Sequence, residues 1–242
     1  MAVKRLTFKE GFLDFWARIY GFDGQFPRTM RDLTLRPGVA AKKFVEGNRA
    51  LYYGPVGYYF LMITVMILVA SILEIDFNDA MMGRGRDIVQ TDPTGRQSEA
   101  LKILSANVLD NFKWFTFTLV LFVSFWLRLL FRRSGYNLLE SSVMPFYVLG
   151  HFHWLTILEF ILFKAFGVDV NQYFIFLIYF FFMGYAAMNL YTYQSKSKAF
   201  LKGVLSYGLA LVSMFLLLMI VAVVIAMFNP EFAKLVRPEK AG

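Results

Sequence analysis

The sequence predicts an all-α fold: an integral membrane five-helix bundle with N-terminal cytoplasmic amphipathic, interfacial helices. Three observations predict it. Apolar residues make up 58% of the 242-residue chain and charged residues only 17%, whereas soluble domains hold about 45–50% and about 25%. Charge-free runs are long: 24 residues between Arg49 and Glu74, 18 between Glu140 and Glu159, 26 between Asp169 and Lys196, and 28 between Lys202 and Glu231. A helix crosses the ~30 Å hydrocarbon core with about 20 residues, so each run holds one crossing. Lysine and arginine are also uneven, with 16 on segments 1–52, 128–142 and 194–202 and nine on 76–113, 164–172 and 229–242. Cytoplasmic flanks carry that excess, which predicts a cytoplasmic N-terminus and an external C-terminus.

This composition excludes a soluble enzyme, a disordered tail and a nucleic-acid module. The net charge of +8 is read as a topology signal and an attraction to anionic phospholipid, with no nucleic acid as partner. The chain has no Cys and two His. Disulfides, thiolate catalysis, Cys-based zinc or iron–sulfur sites and a His-rich metal site are therefore not expected, and neither a metal nor a cofactor is assigned.

Residues 1–52 form the cytoplasmic amphipathic segment. Met1 to Phe8 is basic and lacks the apolar core of a signal peptide, so the N-terminus is expected to be retained. Over 8–22, Phe8, Phe12, Phe15, Trp16, Ile19 and Phe22 line one face of a helix. Lys9, Glu10, Asp14 and Arg18 occupy the rest. That stretch is too short and charged to span, and is expected in the cytoplasmic interface or under the bundle. Pro37 suits the first turn of a helix over 37–46, and Gly47 offers a left-handed cap. Arg36, Lys42, Lys43 and Arg49 are the candidate lipid head-group contacts. Tyr52 and Tyr53 are an aromatic belt before the first span.

The membrane domain, 53–228, is expected to hold spans at about 53–75, 114–131, 143–166, 173–193 and 204–228. The second is the shortest uncharged run, closed by Arg128, which can snorkel from a helix end. The loop 76–113 begins with turn-forming Gly83-Arg84-Gly85-Arg86 and Asp92-Pro93-Thr94-Gly95. Leu101, Leu104, Val108 and Phe112 then predict an amphipathic helix from Ser98. In the last span Gly203, Ser206, Ala210 and Ser213 form a small-residue face for close helix packing. An external tail, 229–242, follows.

Leu33, Arg36-Pro37-Gly38, Phe44, Gly47, Arg49, Tyr52 and Pro55 resemble an uncharacterised bacterial family of multi-pass inner-membrane proteins, domain-of-unknown-function family 3667. The likeness resumes in Leu130-Phe131-Arg132-Arg133, in Tyr136-Asn137-Leu138-Leu139-Glu140 and in Tyr185 to Tyr193, and covers most of 26–225. The resemblance implies a bacterial inner (cytoplasmic) membrane location and a multi-pass architecture, and it implies no reaction. Many members carry an N-terminal Cys-rich zinc-ribbon-like segment that this sequence lacks, so no role of that module carries over.

An ionisable group inside a span is a candidate functional site. The third span holds His151, His153 and Glu159. His151 and His153 point about 200° apart on a helix, and His151 and Glu159 are separated by ~12 Å of rise. They cannot close on one metal. Asn189, Tyr147, Tyr185 or Ser/Thr groups are candidate hydrogen-bond partners for the histidines, and Thr116, Thr118, Lys113 and Tyr179 for Glu159, which is expected to face the bundle interior.

The sequence lacks a phosphate loop, GxSxG, HExxH, an EF-hand loop and a dinucleotide fingerprint. The reading is therefore a non-enzymatic membrane protein: a scaffold or accessory subunit of a bacterial inner-membrane assembly, with a membrane-protein partner or a homo-oligomer. The alternatives are a small permeation or proton-linked transport protein using Glu159 and the two histidines, and an intramembrane enzyme acting on lipid.

Overall fold

A computed structural model describes residues 24–75, 112–168 and 170–228. Every regular element among them is helical: α1 (Gln25–Leu35), α2 (Pro37–Val45), α3 (Pro55–Ile72), α4 (Phe112–Leu130), α5 (Leu138–Phe166), α6 (Gln172–Leu190) and α7 (Lys196–Phe228), with short 3-10 turns at Arg49–Leu51 and Arg132–Ser134. Five of these helices, α3 to α7, are long and apolar enough to cross a membrane. The amphipathic stretches expected at 8–22 and from Ser98, and the tail 229–242, lie outside the described residues.

The expected spans and the observed helices differ at their ends for a physical reason. Charges limit the apolar run, whereas caps and internal hydrogen bonds limit the helix. α5 begins at Leu138 because Asn137 and Glu140 form a reciprocal capping box: the Glu140 N–H donates to Asn137 Oδ1 at 2.9 Å, and the Asn137 N–H donates to Glu140 Oε2 at 2.8 Å. α7 begins at Lys196 and stays helical through its charged first turns, well before the apolar stretch from 204.

α5 is the axis of the bundle. It packs on α3, α4 and α6, and on the N-terminal helices, and 67% of its most apolar stretch is buried, against 11% for α7. α3 and α5 approach so closely at Gly150 that a Cβ there would lie 2.9 Å from the Tyr59 Cα. α5 meets α6 through Phe152 stacked on Tyr179, with ring centroids 3.9 Å apart. α4 reaches α7 through Trp126, whose indole N–H donates to Ser213 at 2.9 Å. The outer faces carry apolar side chains such as Leu121, Phe125, Val212 and Leu216, as a lipid-facing surface requires. Beyond Met214, α7 has no buried residue.

α1 and α2 form a helical hairpin that is not a span. Phe26, Met30 and Leu33 recur at spacings of four and three on α1, so one face is apolar. Leu33 is fully buried, and Phe26 and Met30 pack against the core. Pro37 opens α2, and the residue before a proline avoids helical geometry; Arg36 sits at φ −156°, ψ 64° and breaks the two helices apart. Gly47, at φ +104°, ends the hairpin in the left-handed region. The hairpin lies against the N-terminal parts of α3 and α5 and the C-terminal part of α6, all at one end of the bundle.

Candidate functional site

The polar residues of the hairpin reach into that end of the bundle and build two adjoining networks. The first centres on Asp32, which is 2% exposed. Its Oδ2 accepts from the Tyr52 hydroxyl at 2.8 Å. Its Oδ1 accepts from Arg31 Nη2 at 3.1 Å and from Arg36 Nη2 at 3.4 Å. Burial would raise the carboxyl pKa. The Tyr52 and Arg31 hydrogen bonds, with the charges of Arg36 and Arg31, outweigh it, and the group is held below its ordinary value of 3.8. A carboxylate with donors on both oxygens ties the loop before α3 to α1. One turn earlier, the Thr29 hydroxyl donates to the Gln25 carbonyl and accepts from the Tyr53 N–H.

The second network centres on His151. Its Nδ1 lies 2.8 Å from the Tyr58 hydroxyl and its Nε2 lies 3.1 Å from Thr34 Oγ1. The Thr34 proton is spent on the Met30 carbonyl at 2.8 Å. Thr34 can therefore only accept from His151, so Nε2 carries a hydrogen. Through its two ring nitrogens His151 joins α1 and α3 to α5. Met30 Sδ also lies 2.9 Å from the Tyr58 oxygen. Phe182 of α6 stacks over the imidazole with centroids 6.1 Å apart.

Of the partner types expected for His151, a threonine is found, Thr34, and the other three residues are engaged elsewhere. The Asn189 amide donates to the Tyr185 carbonyl at 2.8 Å, Tyr147 donates to the Tyr53 carbonyl at 2.7 Å, and Tyr185 donates to the Leu35 carbonyl at 3.0 Å. The hairpin occupies the space they were assigned. α1 is the element that sequence reasoning missed, and with it Asp32, Thr34 and Tyr58. Its signal is present in the Phe26, Met30, Leu33 spacing, interrupted by polar residues of which only Thr29 and Asp32 are buried.

His153 is buried against the Tyr59 ring, with centroids 5.8 Å apart. Glu159 is 6% exposed and lies about 9 Å further along α5 by helix rise. Of its expected partners, Thr118 donates back to the Trp114 carbonyl of its own helix, and Lys113 is exposed. Among the described residues, no three His, Asp or Glu side chains are grouped so as to hold a metal ion.

Two of the four candidate head-group cations hold other parts of the chain. Arg36 bonds Asp32, and Lys42 donates to Thr192 Oγ1 at 3.0 Å and lies 3.8 Å from Glu46. Lys43 is half-buried and Arg49 is exposed. The small-residue face of α7 meets α6: Gly203, Ser206 and Ala210 are buried, and a Cβ on Gly203 would lie 2.5 Å from the Ala187 Cβ.

Fold and site together define a helical membrane protein in which an N-terminal hairpin is locked by buried polar bonds to one end of a five-helix bundle. Residues 23–67 match the model of the family described as protein of unknown function (DUF3667), which supports membership in that family. The matched segment contains the hairpin, Asp32, Thr34, Tyr52 and Tyr58, and it ends within α3. No curated protein and no solved structure matches the chain.

Proposed function

We propose that the protein acts without catalysis, as a scaffold or accessory subunit of an assembly in a bacterial inner membrane, with its N-terminus cytoplasmic and its C-terminus external. The observation that carries this reading is His151. Both its ring nitrogens are committed to Tyr58 and Thr34, so the ionisable group nearest the hairpin acts as a structural tie. The basic excess on the segments flanking this end favours the cytoplasmic side. On that side Arg36, Lys42, Lys43 and Arg49 lie where anionic head groups gather, each basic residue being worth roughly 1 kcal/mol near such a surface. Affinity purification in mild detergent, without crosslinker, tests the reading. A second protein retained in stoichiometric amount is expected; a chain that elutes alone and monomeric refutes it.

A second reading, proton-linked transport, is favoured by one observation: Glu159 and His153 are both buried in α5. Glu159→Gln keeps most hydrogen-bonding capacity and removes ionisation. Loss of proton-coupled flux in vesicles by a folded Glu159→Gln protein would establish that reading over the first.

A further inference from the structure

The same end of the bundle carries a second, separate feature. Where α4 ends and α7 begins, a cavity of about 610 Å³ is lined by Arg132, Arg133, Lys198 and Lys202, with Tyr193 and Leu129 on its walls. Its lining holds four cationic side chains and no carboxylate. Among the described residues, none of the four forms an ion pair. Lys202 is pre-positioned: its ammonium donates to the Leu130 carbonyl at 3.1 Å and to Gln194 Oε1 at 3.2 Å, and lies 5.4 Å from the centre of the Phe131 ring. An ammonium has three donors, so one is left for a ligand. Lys198 sits in the first turn of the 33-residue α7, where the helix dipole adds positive potential.

Four like charges around one cavity repel one another, and an anion placed among them removes that cost. We propose that this cavity binds the phosphate of an anionic phospholipid head group. The shared chemistry is phosphate, and the walls choose the source. Leu129, 48% exposed on the outer face of α4, continues the cavity onto the apolar surface, giving an acyl chain a path that free phosphate does not need. The site lies at the ends of two spans, at the depth where head groups sit. It shares no residue with the hairpin cations and does not depend on the accessory-subunit reading.

The test uses the full chain in neutral detergent, with phosphatidylglycerol, phosphatidylcholine or inorganic phosphate as probes, and reads thermal midpoint and lipid retained per protein. The variant is Arg132→Gln/Arg133→Gln/Lys198→Gln, leaving Lys202 in its internal bonds. The comparison is Lys113→Gln/Lys164→Gln, two exposed cations outside the cavity and outside the hairpin. Phosphatidylglycerol is expected to stabilise the native protein where phosphatidylcholine does not, with retention weakened roughly fivefold for each cavity charge removed. Retention unchanged in the folded triple variant, or lost equally in the comparison variant, overturns the proposal. Stabilisation by millimolar inorganic phosphate equal to that by the lipid overturns the lipid source. Should the triple variant fail to fold, Arg133→Gln alone carries the same expectation for a single charge, and retention equal to native overturns the proposal there too.

Discussion

Asp32 and His151 are buried polar groups of opposite character. The carboxylate is held charged by its donors, and its folded pKa lies below the ordinary 3.8. A depressed folded value means that the stabilisation is fully present above the unfolded pKa and is lost as pH falls through the folded one. The native protein is therefore expected to lose thermal stability steeply below about pH 4. Asp32→Asn, less stable at neutral pH, should show a flatter profile over that range; parallel profiles in a melting series would show that Asp32 is not the group responsible. His151 has a hydrogen-bond partner at each ring nitrogen. Tyr58→Phe leaves Nδ1 buried without its partner, and a buried polar atom so orphaned costs about 1–3 kcal/mol. Denaturant titration in detergent should find that loss in Tyr58→Phe, and little of it in Tyr53→Phe, whose main-chain groups make the bonds seen at that residue.

At the scale of the element, the hairpin docks through Gly38. A Cβ at that position would run into the Ala186 carbonyl oxygen and lie 2.7 Å from the Asn189 Cβ. Backbone cannot step aside as a side chain can, so Gly38→Ala should force α2 off α6 at a cost of roughly 1–3 kcal/mol. Gly208→Ala makes the contrast, since its Cβ would meet only Phe180 at an ordinary 3.5 Å; in mid-helix it should be neutral or stabilising by up to about 1 kcal/mol. Equal melting temperatures for the two variants would contradict the docking geometry. The spans were legible because lipid demands long uncharged runs, a requirement written in one dimension. α2 was legible from Pro37 and Gly47. α1 was not, because Asp32, Arg31 and Arg36 resemble a solvated face. Asp32 is nevertheless buried, bonded to Tyr52 20 residues away, while Arg31 and Arg36 stay exposed. His151 bonds a threonine, one of the partner types expected for it, but the threonine sits on α1: depth matching along spans ignores a segment that enters the bundle without crossing it.

For the whole molecule, the basic residues among the described residues gather at the end where the hairpin docks and the cavity opens, which sets an expectation for topology. Reporter fusions in the 76–113 loop and at Gly242 should both register as external. A cytoplasmic signal at Gly242 with an external loop would mean that one of the α4–α7 helices does not cross. The bundle is also unevenly consolidated: α5 is largely enclosed, while α7 has no buried residue beyond Met214.

The bond between Thr34 and His151 spans 117 residues of sequence. During synthesis the N-terminal hairpin leaves the ribosome long before its binding partner exists. At about 5–20 residues per second the interval is roughly 6–23 s, and α6, which seats Gly38, emerges later still. For that time an amphipathic, cationic segment waits at the membrane surface with its apolar side uncovered. Stalled nascent chains ending before α5 should leave residues 24–45 open to protease, and chains that include α6 should protect them. Assembly of this protein is thus completed by an early segment closing over helices made after it.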